Sequence, residues 1–225
     1  MPEPLYNQQF YENQQQGSVE SAQVVVPMIQ NLIQPQSVVD VGCGVGSWLS
    51  VFDACGVEDY LGIDGDYVDQ TMLLIPPSKF QAGDLIQPIH LTRTFDLAVS
   101  LEVAEHLPHD QAEQFVKTLT SLAPVILFSA AIPFQGGTGH VNEQWPEYWQ
   151  TYFNRCGYIL FDVFRANLWN NEAVQPWYRQ NIFLYLREDR IEKYPRVKEA
   201  VEGQKSLPLS VVHPETYLYN INLVK

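Results

Sequence analysis

Cysteine is scarce in this 225-residue chain, which holds only Cys43, Cys55 and Cys156. The number is odd and no two stand in a CxxC pair. This argues against a disulfide framework or a thiolate zinc site and fits free thiols in a reducing cytoplasm. Basic residues are few as well. Thirteen Lys and Arg stand against 26 Asp and Glu, a formal net charge of −13. An acidic surface repels phosphate backbones, so nucleic acid is not the expected partner. No apolar run approaches the roughly 20 residues that span a bilayer. The opening MPEPLYNQQF has neither the basic nor the apolar region of a signal peptide. No membrane partner and a cytoplasmic location are therefore expected.

What is present is ample apolar material, 46% of the residues, enough for one large domain or a domain with an extension. Residues 1–17 are rich in Gln, Asn, Tyr and Phe and read as an arm; 18–186 read as the domain; 187–225 read as an extension packed back on it. Ala22, Val25, Val26, Ile29, Leu32 and Ile33 keep helical spacing, with Pro27 expected to kink that helix or mark its start. Strand-like runs follow at Ser37–Val41, Tyr60–Ile63, Phe80–Ala82, Phe95–Ser100 and Pro124–Ser129. Helices are expected over Ser47–Ala54, after a cap at Asp110, and from Pro146 to just before Gly157. On the last, Trp145, Trp149, Tyr152, Phe153 and Cys156 share a face, which assigns both tryptophans to the core. Tyr158–Phe164 and Asn181–Leu186 have no clear helix between them and are expected to pair antiparallel at one edge. The alternation predicts an α/β fold, a mostly parallel sheet with helices on both faces.

Ligands of such sheets sit beyond the carboxyl ends of the strands. The run VVDVGCGVGSWL (Val38–Leu49) places Gly42, Gly44 and Gly46 there, where a tight turn and missing side chains admit a ligand. The glycines run G-x-G-x-G, not the G-x-G-x-x-G of a nicotinamide loop, and Asp40 stands two residues ahead of them. Asp64, closing the second strand, falls about 20 residues on, where a carboxylate takes ribose hydroxyls. Asp84, in Gly83-Asp84-Leu85, either accepts from an adenine amino group or makes a turn. Three carboxylates on one edge suit a neutral or cationic nucleoside better than a pyrophosphate. Cys43 reads as a small wedge between glycines.

Together, DVGCGVG, GIDG, GDL and FDLAVSLEVAEHL resemble a class I S-adenosylmethionine-dependent methyltransferase over residues 20–186. The resemblance implies a Rossmann-like sheet of seven strands, the last antiparallel, and S-adenosylmethionine as the cofactor. It sets Asp40, Gly42, Cys43, Gly44 and Gly46 against the methionine portion and ribose. It puts Asp64 and Gly65 at the ribose, Asp84 and Leu85 beside the adenine, and Leu101 at the end of the fourth strand. It also implies a small-molecule or sugar-like acceptor, with oxygen favoured over nitrogen because candidate bases are present.

Those bases lie in two loops, Leu101–Leu107 and Gly136–Trp145. His106 belongs to a Glu-His pair that recurs across the family and either acts chemically or braces its loop. His140 sits in a glycine-rich loop with no helical face to pack on and is the preferred base. Asn170, Asn171, Trp177 and Tyr178 are candidates for the acceptor wall, and Tyr6, Phe10 and Tyr11 for a lid. No metal is expected, with one alternative. Glu102, Glu105, His106 and His140 resemble the metal site of RNA 3′-terminal ribose methyltransferases, a set suited to Mg²⁺ or Mn²⁺. A protein that binds S-adenosylmethionine without catalysis is the other alternative.

Overall fold

The structure, a computed structural model, describes residues 8–202 and 207–223. Its strands are β1 (Ser37–Val41), β2 (Asp59–Asp64), β3 (Phe80–Ala82), β4 (Leu97–Leu101), β5 (Val125–Ser129), β6 (Tyr158–Phe161) and β7 (Phe183–Arg187). All seven join one sheet in the order β3-β2-β1-β4-β5-β7-β6. Pairing is parallel from β3 across to β5, and β7 runs antiparallel to both β5 and β6. This is the expected seven-stranded fold with its antiparallel edge pair.

The strand sequences explain the architecture. LAVSL and VILFS are buried at every position, as strands covered on both faces must be. Successive side chains then feed two cores. Val38, Leu97, Leu127 and Leu184 pack with α1 (Gln8–Leu32) and α2 (Ser47–Ala54). Val39, Ala98, Phe128 and Tyr185 pack with α3 (Ala112–Leu122) and α4 (Pro146–Arg155). Among the described residues no helix is long and apolar enough to cross a membrane.

Four details differ from expectation. First, α1 is continuous through Pro27 and reaches back to Gln8, inside the expected arm. Pro27 lies on the exposed side, as does Gln23, whose carbonyl loses its helical donor and can bond water instead. Tyr6 and the side chains of Phe10 and Tyr11 lie outside the described residues. Second, Asp110 caps nothing. A single 3₁₀ turn (His109–Gln111) follows Pro108, and α3 starts at Ala112 without a side-chain cap. Third, Trp149 is core at 2% exposed, but Trp145 is 39% exposed. It stands in extended backbone just before the first turn of α4, so the helical wheel does not apply to it. Fourth, two short helices separate β6 from β7: α5 (Arg165–Leu168) and α6 (Pro176–Asn181). Asn181 therefore closes a helix and is not the first residue of the last strand.

The chain after β7 folds back on this body. In α7 (Pro195–Glu202), Val197 is buried and Arg196 bonds the Asn31 carbonyl at 2.8 Å. Arg165, fully buried, holds the next stretch. Its guanidinium pairs with Asp162 at 2.7 Å and donates to the carbonyls of Pro208 and Leu209, both at 2.9 Å. Arg179 pairs with Glu215 at 2.7 Å and so ties down α8 (Pro214–Leu223).

A buried cation that loses its anion is strongly destabilising, by about 3–5 kcal/mol, and here the carbonyls still solvate part of the charge. Asp162→Ala is therefore expected to lower unfolding free energy by about 3 kcal/mol in urea titration. A loss below about 1 kcal/mol would mean that the carbonyls alone satisfy Arg165.

Candidate active site

Between β1 and β4 the strand order reverses direction, and the carboxyl ends there form the crevice where open α/β sheets take ligands. The β1–α2 loop enters it with Gly42, Gly44 and Gly46 at φ of 87°, 52° and 85°. At Gly42 a Cβ would sit 2.3 Å from Val103, and at Gly46 2.8 Å from Ile75, so packing alone demands glycine at both. At Gly44 a Cβ would meet nothing within 4 Å. That backbone faces open space. Cys43 is buried with its sulfur against Gly62, and burial pushes its thiol pKa far up, so it is a wedge and no nucleophile.

Asp64 closes β2 beside this loop. It accepts from Gly44 N–H at 2.6 Å, its neighbour Gly65 N–H at 2.7 Å and the Tyr67 hydroxyl at 2.6 Å. Asp40 is buried at the same edge, and burial, then the charge of Asp64, raise its pKa well above the usual carboxylate range. Gly83 N–H bonds the Asp64 carbonyl at 2.8 Å and brings β3's end alongside. Asp84 there is exposed and accepts from Ile86 N–H at 3.0 Å, a turn; Leu85 is half-buried, and Leu101 is buried at the end of β4.

Beyond Leu101 the chain turns sharply. Glu102 has φ 55° and its N–H bonds Ser129 on β5. Its carboxylate takes Gln135 Nε2 at 2.7 Å and Asn181 Nδ2 at 3.2 Å, and burial raises its pKa. Glu105 is 0% exposed, and neither carboxylate oxygen has a hydrogen-bond partner. Burial, then the neighbouring Glu102 charge, push its pKa well up. The Glu105 carbonyl accepts from Val141 N–H at 2.9 Å and Asn142 N–H at 3.0 Å, which pins the second loop to the first.

That pinning brings the histidines together. His140 Nε2 lies 4.0 Å from Glu105 Oε1, and the His106 and His140 rings meet edge to face at 4.8 Å. Partial burial, then His140, lower the pKa of His106, while the Asp64 charge acts in the opposite sense. Glu105, His106 and His140 offer ligand atoms within 4.8 Å of one another; Glu102 is outside this group, its oxygens taken by amides.

Other named residues stand elsewhere. Tyr178 is core, against Trp48 and Ser18, Trp177 packs beside it, and Asn171 turns the chain onto Ala173. Gln135 and Asn181, which hold Glu102, carried no sequence signal. Asn181 arrives from a helix that the sequence pattern hides. Glu143 had one signal, its place three residues past His140 in a polar loop.

An acid whose pKa is raised by folding contributes stability below its unfolded pKa, about 3.9 for Asp, and that stability is lost as pH climbs through the folded pKa. Asp40→Asn is therefore expected to gain on the parent protein, in the absence of ligand, as pH rises from about 5, by at most about 1.4 kcal/mol per pH unit. Scanning calorimetry between pH 5 and 9 checks this, and a constant difference between the two proteins would remove the raised acid.

Residues 14–161 match the model of a family described as methyltransferase domain. No curated protein matches the sequence. Several solved structures share the fold. The sugar N-methyltransferase KedS8 from Streptoalloteichus sp ATCC 53650 is 14% identical with a TM-score of 0.61, over 83% of this chain and 97% of that one. CalS10, an amino pentose methyltransferase from Micromonospora echinaspora solved with S-adenosylmethionine bound, is 17% identical with a TM-score of 0.57, over 83% and 100%. The methyltransferase domain of a bacterial protein, CtHen1, is 17% identical with a TM-score of 0.55, over 74% and 98%. The family model covers most of the chain, β1 to β6 and the glycine loop included, and the chain accordingly belongs to the methyltransferase-domain family, the S-adenosylmethionine-dependent class that its motifs resemble.

Proposed function

We propose that the protein transfers a methyl group from S-adenosylmethionine to a hydroxyl of a small, sugar-like acceptor. The observation that carries this reading is the shared edge. An open backbone cradle at Gly44 beside Asp64 and the His106–His140 pair both stand past the carboxyl ends of the parallel strands. The residues fit a nucleoside donor. Gly44 leaves room, and Asp64, with three protein donors on a carboxylate that offers about four lone pairs, has capacity for a ribose hydroxyl or exchanges Tyr67 for one. S-adenosylmethionine brings a methyl group already activated on a sulfonium. The protein's work is then to align the acceptor and take its proton. His140, with its side chain 12% exposed, is the residue placed to hold that proton at Nε2. A sugar-like acceptor accords with KedS8, a sugar N-methyltransferase, and CalS10, an amino pentose methyltransferase. Oxygen is favoured over nitrogen because a hydroxyl needs the base.

A second reading has its own observation. A fully buried, unpartnered Glu105 carboxylate beside two imidazoles is the donor chemistry of a divalent cation site. Glu105, His106 and His140 would hold the ion, which would supply charge for an oxygen acceptor.

Asp64→Ala is expected to lower S-adenosylmethionine affinity at least tenfold by calorimetry, since each charge-assisted bond lost is worth about 1.5–3 kcal/mol. Unchanged affinity on the folded variant removes Asp64 from the donor site. A panel of hydroxyl and amino sugars, followed by S-adenosylhomocysteine release, tests the acceptor. Product only from amino sugars overturns the oxygen reading, and binding without product from any acceptor leaves a non-catalytic protein. His140→Ala is expected to lower kcat by roughly a hundredfold with donor affinity spared. Loss of turnover in EDTA with recovery in Mg²⁺ or Mn²⁺ would select the cation reading, and indifference to EDTA the metal-free base.

A further inference from the structure

Glu143 gathers three donors on one carboxylate. The N–H of Phe134 bonds Oε2 at 2.7 Å, the N–H of Gly136 bonds Oε1 at 2.8 Å, and His140 Nδ1 lies 2.8 Å from Oε1. Two of these partners are backbone N–H groups and can only donate. Glu143 therefore already acts as an acceptor at both oxygens. The third contact is then Nδ1–H donating to Glu143, and the remaining nitrogen, Nε2, carries the lone pair.

We infer that Glu143 is a positioning residue: it fixes His140 as the Nδ1–H tautomer and aims the bare Nε2 at the space shared with Glu105 and His106. The inference rests on the placement of His140 at the acceptor, but it holds whether Nε2 takes a proton or binds a cation. Both uses require a bare nitrogen, and a carboxylate on the far side of the ring is the usual means of securing one.

The loop is built around this contact. Phe134 has φ 66° and is 89% exposed, a conformation and a placement that an aromatic residue does not choose by itself. Its N–H is held by Glu143 and its carbonyl by Asn220 of α8. Gly136 and Gly139 have φ of 74° and 76°. At Gly137 a Cβ would fall 2.2 Å from Nε2 of His140, so the backbone itself covers one side of the ring. A clamp needed only for folding would be complete with Phe134 and Gly136. The bond to Nδ1 decides in addition which nitrogen is free.

Nitrogen NMR on protein labelled in histidine reads the tautomer directly and needs no acceptor. In the parent protein the neutral His140 ring is expected to give a protonated-type Nδ1 and an unprotonated-type Nε2. In Glu143→Ala that pattern is expected to reverse or average, while the His106 signals and S-adenosylmethionine affinity hold within twofold. Should the alanine variant not fold, Glu143→Leu restores the side-chain volume without an acceptor and carries the same comparison. A parent ring protonated at Nε2, or a pattern indifferent to loss of the carboxylate, overturns the inference. If the parent protein methylates no hydroxyl acceptor, the proposed reaction fails and the tautomer result stands apart from it. With an active hydroxyl acceptor, Glu143→Ala is further expected to lower kcat at least tenfold with the KM for S-adenosylmethionine unchanged.

Discussion

A sheet covered on both faces leaves its polar chemistry one place to go. β4 and β5 are buried along their whole length, and their alternate side chains feed two separate cores. A ligand cannot lie on either face without displacing a helix. It can enter where strands stop, and the ends of β1, β2, β4 and β5 stop together. Every group that bears on the reaction follows from that restriction. Asp64 is the last residue of β2, Glu102 the first after β4, and the loop of His140 begins after β5. Past β1 the chain turns through three glycines at positive φ, Gly42, Gly44 and Gly46, and past β4 it turns at Glu102, also at positive φ.

Burial at the crevice then sets the electrostatics. Asp40, Glu102 and Glu105 all lie where a charge is costly, and burial is the leading cause of the raised pKa at each. They differ in how that cost is met. Glu102 is solvated by two amides, whereas neither carboxylate oxygen of Glu105 has a hydrogen-bond partner. Burial disfavours the charged form of such a carboxyl, and a cation placed beside it favours that form again.

The fold was legible because its determinants are local and repetitive. Apolar runs of five residues, glycine after β1 and an acid 20 residues past the loop are patterns that one window of sequence contains. The residues of the proposed donor side, Asp40 through Asp84, likewise form one continuous stretch. The misread elements were those decided by distant partners. α5 and α6 are too short for a helical period to register, and Trp145 lies one residue before the helix whose spacing seemed to include it. Gln135 and Asn181 meet Glu102 only because three segments far apart in sequence converge. The grouping of Glu105, His106 and His140 was legible as residue types, but the exclusion of Glu102 was not, because amide partners decide it.

That division of labour bears on how such a protein can change. Gln180 bonds Gln135 and Asn181 on one side and the His213 N–H on the other. Through it the segment that Arg165 straps down is linked to the amides that hold Glu102. In the proposed reading the acceptor side draws on the tail and the loop after β5, neither of which supplies a residue to the glycine turn. Exchange of tail and loops between relatives would leave the methyl donor's cradle intact. Lineages that share one donor are free to diverge in what they methylate, and a designer who wished to redirect the enzyme would graft at residues 134–143 and 207–223 and leave 38–85 alone.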